Sequence, residues 1–407
     1  MRSLALCLFV TVLALAAEAS KSFVVPLTQR VMSGHEIAQM RKSQPASTGR
    51  RGMKLIQRQY KNDYLLLNTS IGIPSTIPDS GCAQFQHFQL ALEVGSAWTF
   101  VLGPNYSKLD KSQVPYYANQ SIASELASNS YQGKSGTYNI TGNTYRDYVA
   151  VNNYIFRQHF GVANDIWTTG ERKGKISFPV DGVLGLSWIQ DLSVESPIKQ
   201  LCSKFQDTSD TCRLILWLDT HKKPSYGTSA GKLIFDHDNT GAQYCDTSSY
   251  SSASASLNFD INDHVASFYV DSIKYGTYSS YVSRSASVNS GFSEIILPED
   301  DYNSILNIIN PDFDENTGLS VIDCDQVNSL ADITFRIGGT DVTVSASQYV
   351  LDLDLSDNQC AVAFSQREDT FIPTEYTFGN AFIRAYCVEI DNDSSSLSIY
   401  FHKNKSA

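Results

Sequence analysis

Past residue 17 the sequence has no run of some 18 consecutive apolar residues, the length that carries a helix across a bilayer core of roughly 30 Å. No membrane span is therefore expected in the body of the chain. There is no Gly-X-Ser-X-Gly elbow, no phosphate-binding P-loop and no His-Glu-X-X-His pair. That removes the motif basis for a serine hydrolase, a nucleotide hydrolase or a zinc peptidase of those types. No Cys-X-X-Cys pair occurs and the cysteine spacing suggests no zinc site, so neither metal nor cofactor is expected. Asp236-His237-Asp238 follows a strand and precedes Asn239-Thr240-Gly241, which reads as a polar turn and not a ligand set. Helical periodicity is sparse and methionine is scarce, whereas aromatic and β-branched residues are plentiful. Such a chain can bury a large core, and overall disorder is excluded.

What is present begins with a targeting signature. Met1-Arg2-Ser3 carries one positive charge, Leu4 to Ala17 is apolar, and small residues stand at Ala16, Ala17, Ala19 and Ser20. This predicts a secretory signal peptide over 1–19. Charge is then distributed unevenly. Residues 20–62 hold nine basic side chains against the single acid Glu36, a net of +8; with the whole chain at −11 and residues 1–19 balanced, residues 63–407 carry −19. A basic leader on an acidic body reads as a docked pro-segment over 20–62 more readily than as a nucleic-acid arm, and no nucleic-acid partner is expected. The remaining length suits two domains.

From Tyr64 onward the pattern is one of short strands. Tyr64-Leu65-Leu66-Leu67, Phe88 to Leu92, Arg213 to Leu218, Lys232 to Phe235, Ser267 to Val270, Ile333 to Ile337 and Leu397 to Phe401 are apolar or alternating runs between turn residues, which predicts an all-β protein. Pro298 to Ile309 is the plausible helix, with Pro at its start and Ile305, Ile308 and Ile309 on one face. An internal echo links the two halves. Leu90-Ala91-Leu92-Glu93-Val94-Gly95-Ser96 parallels Ser287-Val288-Asn289-Ser290-Gly291-Phe292-Ser293, and Val183-Leu184-Gly185 parallels Thr377-Phe378-Gly379.

Further landmarks accompany that echo. Tyr64 to Pro74 ends in an Ile-Gly-X-Pro turn. Asp181-Gly182-Val183-Leu184-Gly185-Leu186 nearly matches Asp-Gly-Ile-Leu-Gly-Leu. Phe378-Gly379-Asn380-Ala381-Phe382-Ile383-Arg384-Ala385-Tyr386 approaches Leu-Gly-Asp-X-Phe-X-Arg-X-Tyr. In this order and spacing, over roughly Tyr64 to His402, the chain resembles the pepsin-like aspartic proteases (peptidase A1). The resemblance implies an all-β, two-lobed fold with a deep interlobe cleft, an N-terminal lobe over 63–213 and a C-terminal lobe over 214–407. It also implies a peptide or protein ligand in that cleft, a monomer, and a leader whose cations meet the acidic cleft.

The same resemblance exposes a departure. Glu93-Val94-Gly95-Ser96 and Asn289-Ser290-Gly291 stand where each lobe of the family carries Asp-Thr-Gly. The family's reaction needs two carboxylates sharing one proton, the ionised member activating water and the protonated one donating to the scissile carbonyl. Asn289 cannot exchange a proton, and Glu93 carries an extra methylene. Val94 lacks the loop hydroxyl, and Phe292 replaces a common threonine. Gly95, Ser96, Ser290 and Gly291 retain the loop framework. A catalytically inactive homologue with a peptide-binding cleft is the leading reading. A slow protease and a structural or inhibitory secreted glycoprotein are the alternatives.

Tyr131 is the best match to the family's flap tyrosine, with Tyr138 as its rival in the same hairpin. By family likeness Cys324 pairs with Cys360. A turn at Asp207 to Asp210 favours Cys202 with Cys212, and Cys245 with Cys387 is a guess that leaves Cys82 over. Sequons begin at Asn68, Asn105, Asn119, Asn139, Asn392 and Asn404, candidate glycan sites for a secretory-pathway protein bound for an extracellular or lysosomal destination.

Overall fold

The computed structural model describes residues 22–43, 63–73, 85–96, 98–135, 138–152, 154–168, 178–188, 196–203, 212–219, 223–236, 238–247, 253–260, 265–355, 358–367, 374–393 and 396–405. The leader supplies the first two elements. Strand β1 (Phe23–Val31) buries Val25, Leu27, Gln29 and Val31 at alternate positions, the period of a half-buried strand. Helix α1 (Gly34–Ser43) starts on a capping box, in which Glu36 N–H donates to Ser33 Oγ at 3.3 Å and Ser33 N–H donates to Glu36 Oε2 at 2.9 Å. Gly34 N–H donates to Leu353 O at 2.7 Å, and a Cβ on Gly34 would lie 2.2 Å from Leu355 Cδ2, so the helix start is pressed against the C-terminal half.

The N-terminal half continues with β2 (Asp63–Ile71), β3 (Gln86–Val94), β4 (Phe100–Leu102), β5 (Glu125–Ser135), β6 (Tyr138–Val151), β7 (Tyr154–Thr168) and β8 (Gly182–Leu186). Then come β9 (Cys212–Leu218), β10 (Ser225–Asp236), β11 (Arg284–Val288), β12 (Ile295–Leu297), α2 (Glu299–Ile309), β13 (Phe364–Gln366), β14 (Tyr376–Phe378), β15 (Tyr386–Asp393) and β16 (Ser396–Asn404), among shorter pieces. Helix α2 follows Pro298 as its sequence predicts. The turn between β15 and β16 is tight, since Asp391 pairs with Ser398 and Asp393 with Ser396.

The largest sheet has 14 strands, and its order explains how the halves are joined. From one side run the short strand Cys245–Asp246, then β16, which also pairs with the strand Ala253–Ser256, then β15, β9 and β10; then β1; then β2, β3, β8, β4, β7, β6 and β5. Among the described residues β1 alone connects the two groups, pairing with β10 along its whole length and with β2 from Thr28↔Leu66 to Val31↔Asp63. Burial of Val25, Leu27, Val31, Met32 and Ile37 contributes on the order of 10 kcal/mol to holding the leader. The leader therefore docks chiefly by strand pairing and apolar contact. Of its nine basic side chains only Arg30 is described, donating to Pro179 O and facing Glu36 at 3.6 Å; the expected contact of cations with an acidic cleft lies outside the described residues. The lobe boundary expected after residue 213 falls inside β9, a strand of the shared sheet.

All three expected disulfides are present, Cys202–Cys212, Cys245–Cys387 and Cys324–Cys360, the guessed one included. Cys82 lies outside the described residues. Among the described residues no helix is long and apolar enough to cross a membrane.

Candidate active site

The sequence echo is a topological repeat. In the first half β3 runs parallel to β8, with Glu93 opposite Gly185, while β4 is antiparallel to β8 and parallel to β7. In the second half β11 runs parallel to β14, with Val288 opposite Phe378, while β12 is antiparallel to β14 and parallel to β13. Each unit delivers one loop at the end of its first strand. Glu93 is the next-to-last residue of β3 and Asn289 follows β11, so the fold carries both side chains to the seam between the halves.

There the two loops interlock. Ser290 Oγ, fully buried, donates to Leu92 O at 2.9 Å and accepts from Val94 N–H at 2.9 Å; Ser290 N–H donates to Val94 O at 3.2 Å. The clasp is one-sided, because Val94 has no hydroxyl to return. Gly95 adopts φ +97°, and a Cβ there would lie 2.2 Å from Val288 O, so both conformation and closeness demand glycine. Ser96 Oγ accepts from Trp98 N–H at 3.3 Å, which keeps the loop turned. Phe292 packs on Ile296, so hydrocarbon flanks the loop on that side.

Glu93 and Asn289 converge on Gly291. Gly291 N–H donates to Asn289 Oδ1 at 2.7 Å, and a Cβ on Gly291 would sit 2.7 Å from that oxygen and 3.0 Å from Glu93 Oε1. Glu93 is 0 % exposed, whereas Asn289 is only partly buried. With the Asn289 oxygen engaged by Gly291 N–H, the remaining polar group of that side chain is its NH2, which can only donate. The site pairs one carboxylate with one carboxamide, and only one of the two can exchange a proton.

The motif acid Asp181 has a structural task, accepting from Gln89 N–H at 2.8 Å and Val114 N–H at 2.9 Å. Burial raises its carboxyl above the usual range, with those two bonds opposing. Tyr131 is buried against Trp98 edge-on, its hydroxyl donating to Thr99 O at 3.3 Å and its ring filling the space left by Gly161. That is the packing of a hairpin aromatic. Tyr138 stands at the turn end of the hairpin, opposite Ser135, edge-on to Phe178. The nearby Tyr64 phenol is raised well above its ordinary value, chiefly by burial, with Tyr138 and Glu93 adding to the effect.

Sequence reasoning missed Asp63. The first residue of β2 forms a buried ion pair with Arg384, both 2 % exposed; its N–H donates to Ser293 Oγ at 3.0 Å and its carbonyl accepts from Asn380 Nδ2 at 3.2 Å. The Phe378 to Tyr386 motif is thus the receptor for the start of β2. The available signal was an arginine in an otherwise apolar run, which calls for a buried counter-ion.

The sequons divide by exposure. Asn68, Asn105 and Asn119 are exposed, and Asn139 and Asn392 are partly buried. Asn404 stands apart: it is 6 % exposed, its Nδ2 donates to Leu218 O at 2.8 Å and Arg384 O at 3.2 Å, and its Oδ1 accepts from Trp217 Nε1–H at 2.9 Å. A glycan would use the nitrogen that these bonds occupy. Among the described residues no group of three His, Cys, Asp or Glu could hold a metal ion.

The repeated strand units and the interlocked loops are the frame of a two-lobed acid protease, and the family profile described as eukaryotic aspartyl protease matches residues 81–400. The chain belongs to that family. Among its relatives, Aspartic protease 17 of Caenorhabditis elegans is 26% identical over 348 residues, covering 81% of this chain and 80% of the relative. Aspartic protease 1 of the same organism is 30% identical over 234 residues, 55% of each chain. Pepsin A of Gallus gallus is 32% identical over 118 residues, 28% of this chain and 29% of the relative. This aspartyl-protease family member is thus pepsin-like and mostly β, with the family's two loops joined across its seam.

Proposed function

We propose that the chain is a secreted, catalytically inactive aspartyl-protease homologue that retains a peptide-binding cleft. The observation that carries this reading is the pairing of Glu93 with Asn289 around Gly291. A carboxamide neither takes up nor releases a proton over ordinary pH, so the exchange of acid and base roles has no second partner. Loss of a general acid–base group costs about 100- to 10,000-fold, and displacement of the remaining carboxyl by about 1 Å can cost about 100-fold more. The intact loop framework supports retention of the cleft. The signal sequence, three disulfides and exposed sequons support passage through the secretory pathway to an extracellular or lysosomal destination. The leader over 20–62 is read as a pro-segment, and a molecule without self-cleavage leaves its removal to another protease.

The test is hydrolysis of a chromogenic peptide at acid pH by the wild type and by Glu93→Asp/Asn289→Asp. No turnover by the wild type and measurable turnover by the double variant are expected. Wild-type turnover at the rate of an ordinary family member refutes the reading. The retained carboxylate of Glu93 favours slow proteolysis as the second reading, and loss of any residual rate in Glu93→Gln identifies it.

A further inference from the structure

Resting on the peptide-binding reading of the cleft, we infer that the Asn289 carboxamide is a permanent hydrogen-bond donor for a backbone carbonyl of an intact peptide, and that it holds such a peptide equally well at neutral pH. A shared-proton pair of carboxyls has a donor only while one carboxyl is protonated, and at higher pH two adjacent negative charges replace it. Asn289 has no such limit. Its oxygen accepts from Gly291 N–H at 2.7 Å, which engages the acceptor end of the amide and leaves the NH2 as its donor end. It is also the more accessible member of the pair, since Glu93 is wholly buried. The arrangement copies the donor half of a protonated carboxyl without its proton exchange.

The groups around Asn289 support independence from pH. Glu93 faces it from β3 as the carboxylate partner, and β11, β12 and β14 bring Val288, Ile295 and Phe378. Tyr64 on β2 is kept protonated by burial, and buried Glu294 lies on the segment between Gly291 and β12. The histidine on these elements, His87, lies at the opposite end of β3 from the loop, hydrogen-bonded to Ser70 at 2.8 Å. With one carboxylate and no like-charged neighbour at position 289, nothing in the pair requires acid for binding. The ligand class is an extended peptide recognised through its main chain and released uncut.

The experiment uses the full secreted chain and three fluorescein-labelled hexapeptides with a central Phe-Phe: the amide, the ester, which keeps the carbonyl, and the trans-alkene, which removes it while staying flat and neutral. Binding is read by fluorescence anisotropy at pH 6 and pH 8. The amide and ester are expected to bind within about twofold of each other, and the alkene roughly fivefold more weakly, the worth of one neutral hydrogen bond, at both pH values. In Asn289→Asp at pH 8 the preference for the carbonyl is expected to vanish. Equal binding of amide and alkene by the wild type overturns the inference while leaving peptide binding intact. A carbonyl preference present at pH 6 and lost at pH 8 overturns it as well. Failure of the amide to bind at either pH removes the peptide-binding reading itself.

Discussion

The one-sided clasp between the two loops can be tested through Ser290. Replacing it with alanine deletes a hydroxyl that accepts from Val94 N–H and donates to Leu92 O at a fully buried position. The Val94 N–H is then buried without its partner, which costs about 1–3 kcal/mol, and loss of the second bond adds about 1 kcal/mol. At roughly 2 °C per kcal/mol for a protein of this size, Ser290→Ala is expected to lower Tm by about 4–8 °C. The repeat supplies an internal control. Position 94 corresponds to position 290, so a hydroxyl at 94 would face Val288 O and Ser290 N–H just as Ser290 faces Leu92 O and Val94 N–H. Val94→Thr is therefore expected to raise Tm by about 2 °C in the wild type and to recover part of the loss in Ser290→Ala. Scanning calorimetry of the four proteins makes the comparison. If Ser290→Ala melts within 1 °C of the wild type, the clasp does not hold the loops together. If Val94→Thr lowers Tm in both backgrounds, the added hydroxyl is buried without partners and the loops are not related as the repeat requires.

Two further outcomes follow from buried polar groups. Arg384→Met leaves the Asp63 carboxylate buried without its counter-ion and is expected to cost about 3–5 kcal/mol, most of it recovered in Asp63→Leu/Arg384→Met; urea denaturation followed by tryptophan fluorescence measures both. Tryptic glycopeptide mass spectrometry of the protein expressed in a glycosylating host is expected to find Asn404 unmodified whatever the state of exposed Asn68, Asn105 and Asn119.

The fold and the site were legible in the sequence to different depths. Strands such as Ile333 to Ile337 were readable because alternation and β-branched residues express a local preference, and that strand occupies Ile333–Ile337 in the structure. The repeat was readable because both copies keep a strand, a polar residue and a glycine in the same order. The disulfide Cys245–Cys387 could only be guessed, since its cysteines are 142 residues apart and only the pairing of the Cys245 strand with β16, and of β16 with β15, brings them together. Tyr131 was singled out by position, and its burial against Trp98 depends on how β5 and β6 curl over β7, which no local pattern encodes. Charge dominated the reading of the leader, yet the described contacts are those of a strand. Val25, Leu27 and Val31 carried that signal, but the basic residues around them obscured it.

The place of β1 in the sheet also bears on the order of events during synthesis. Among the described strands it is the first to be synthesised, and its partner along its full length, β10, begins at Ser225, some 200 residues later. At about 5–20 residues per second, β1 waits roughly 10–40 s for that partner, holding Val25, Leu27 and Val31 uncovered on one side. The N-terminal half can assemble β2 to β8 meanwhile, but the sheet is joined across its middle only when β10 arrives. The nascent chain therefore spends that interval with an open edge at its centre, and the compartment in which it folds must keep other chains from pairing with it.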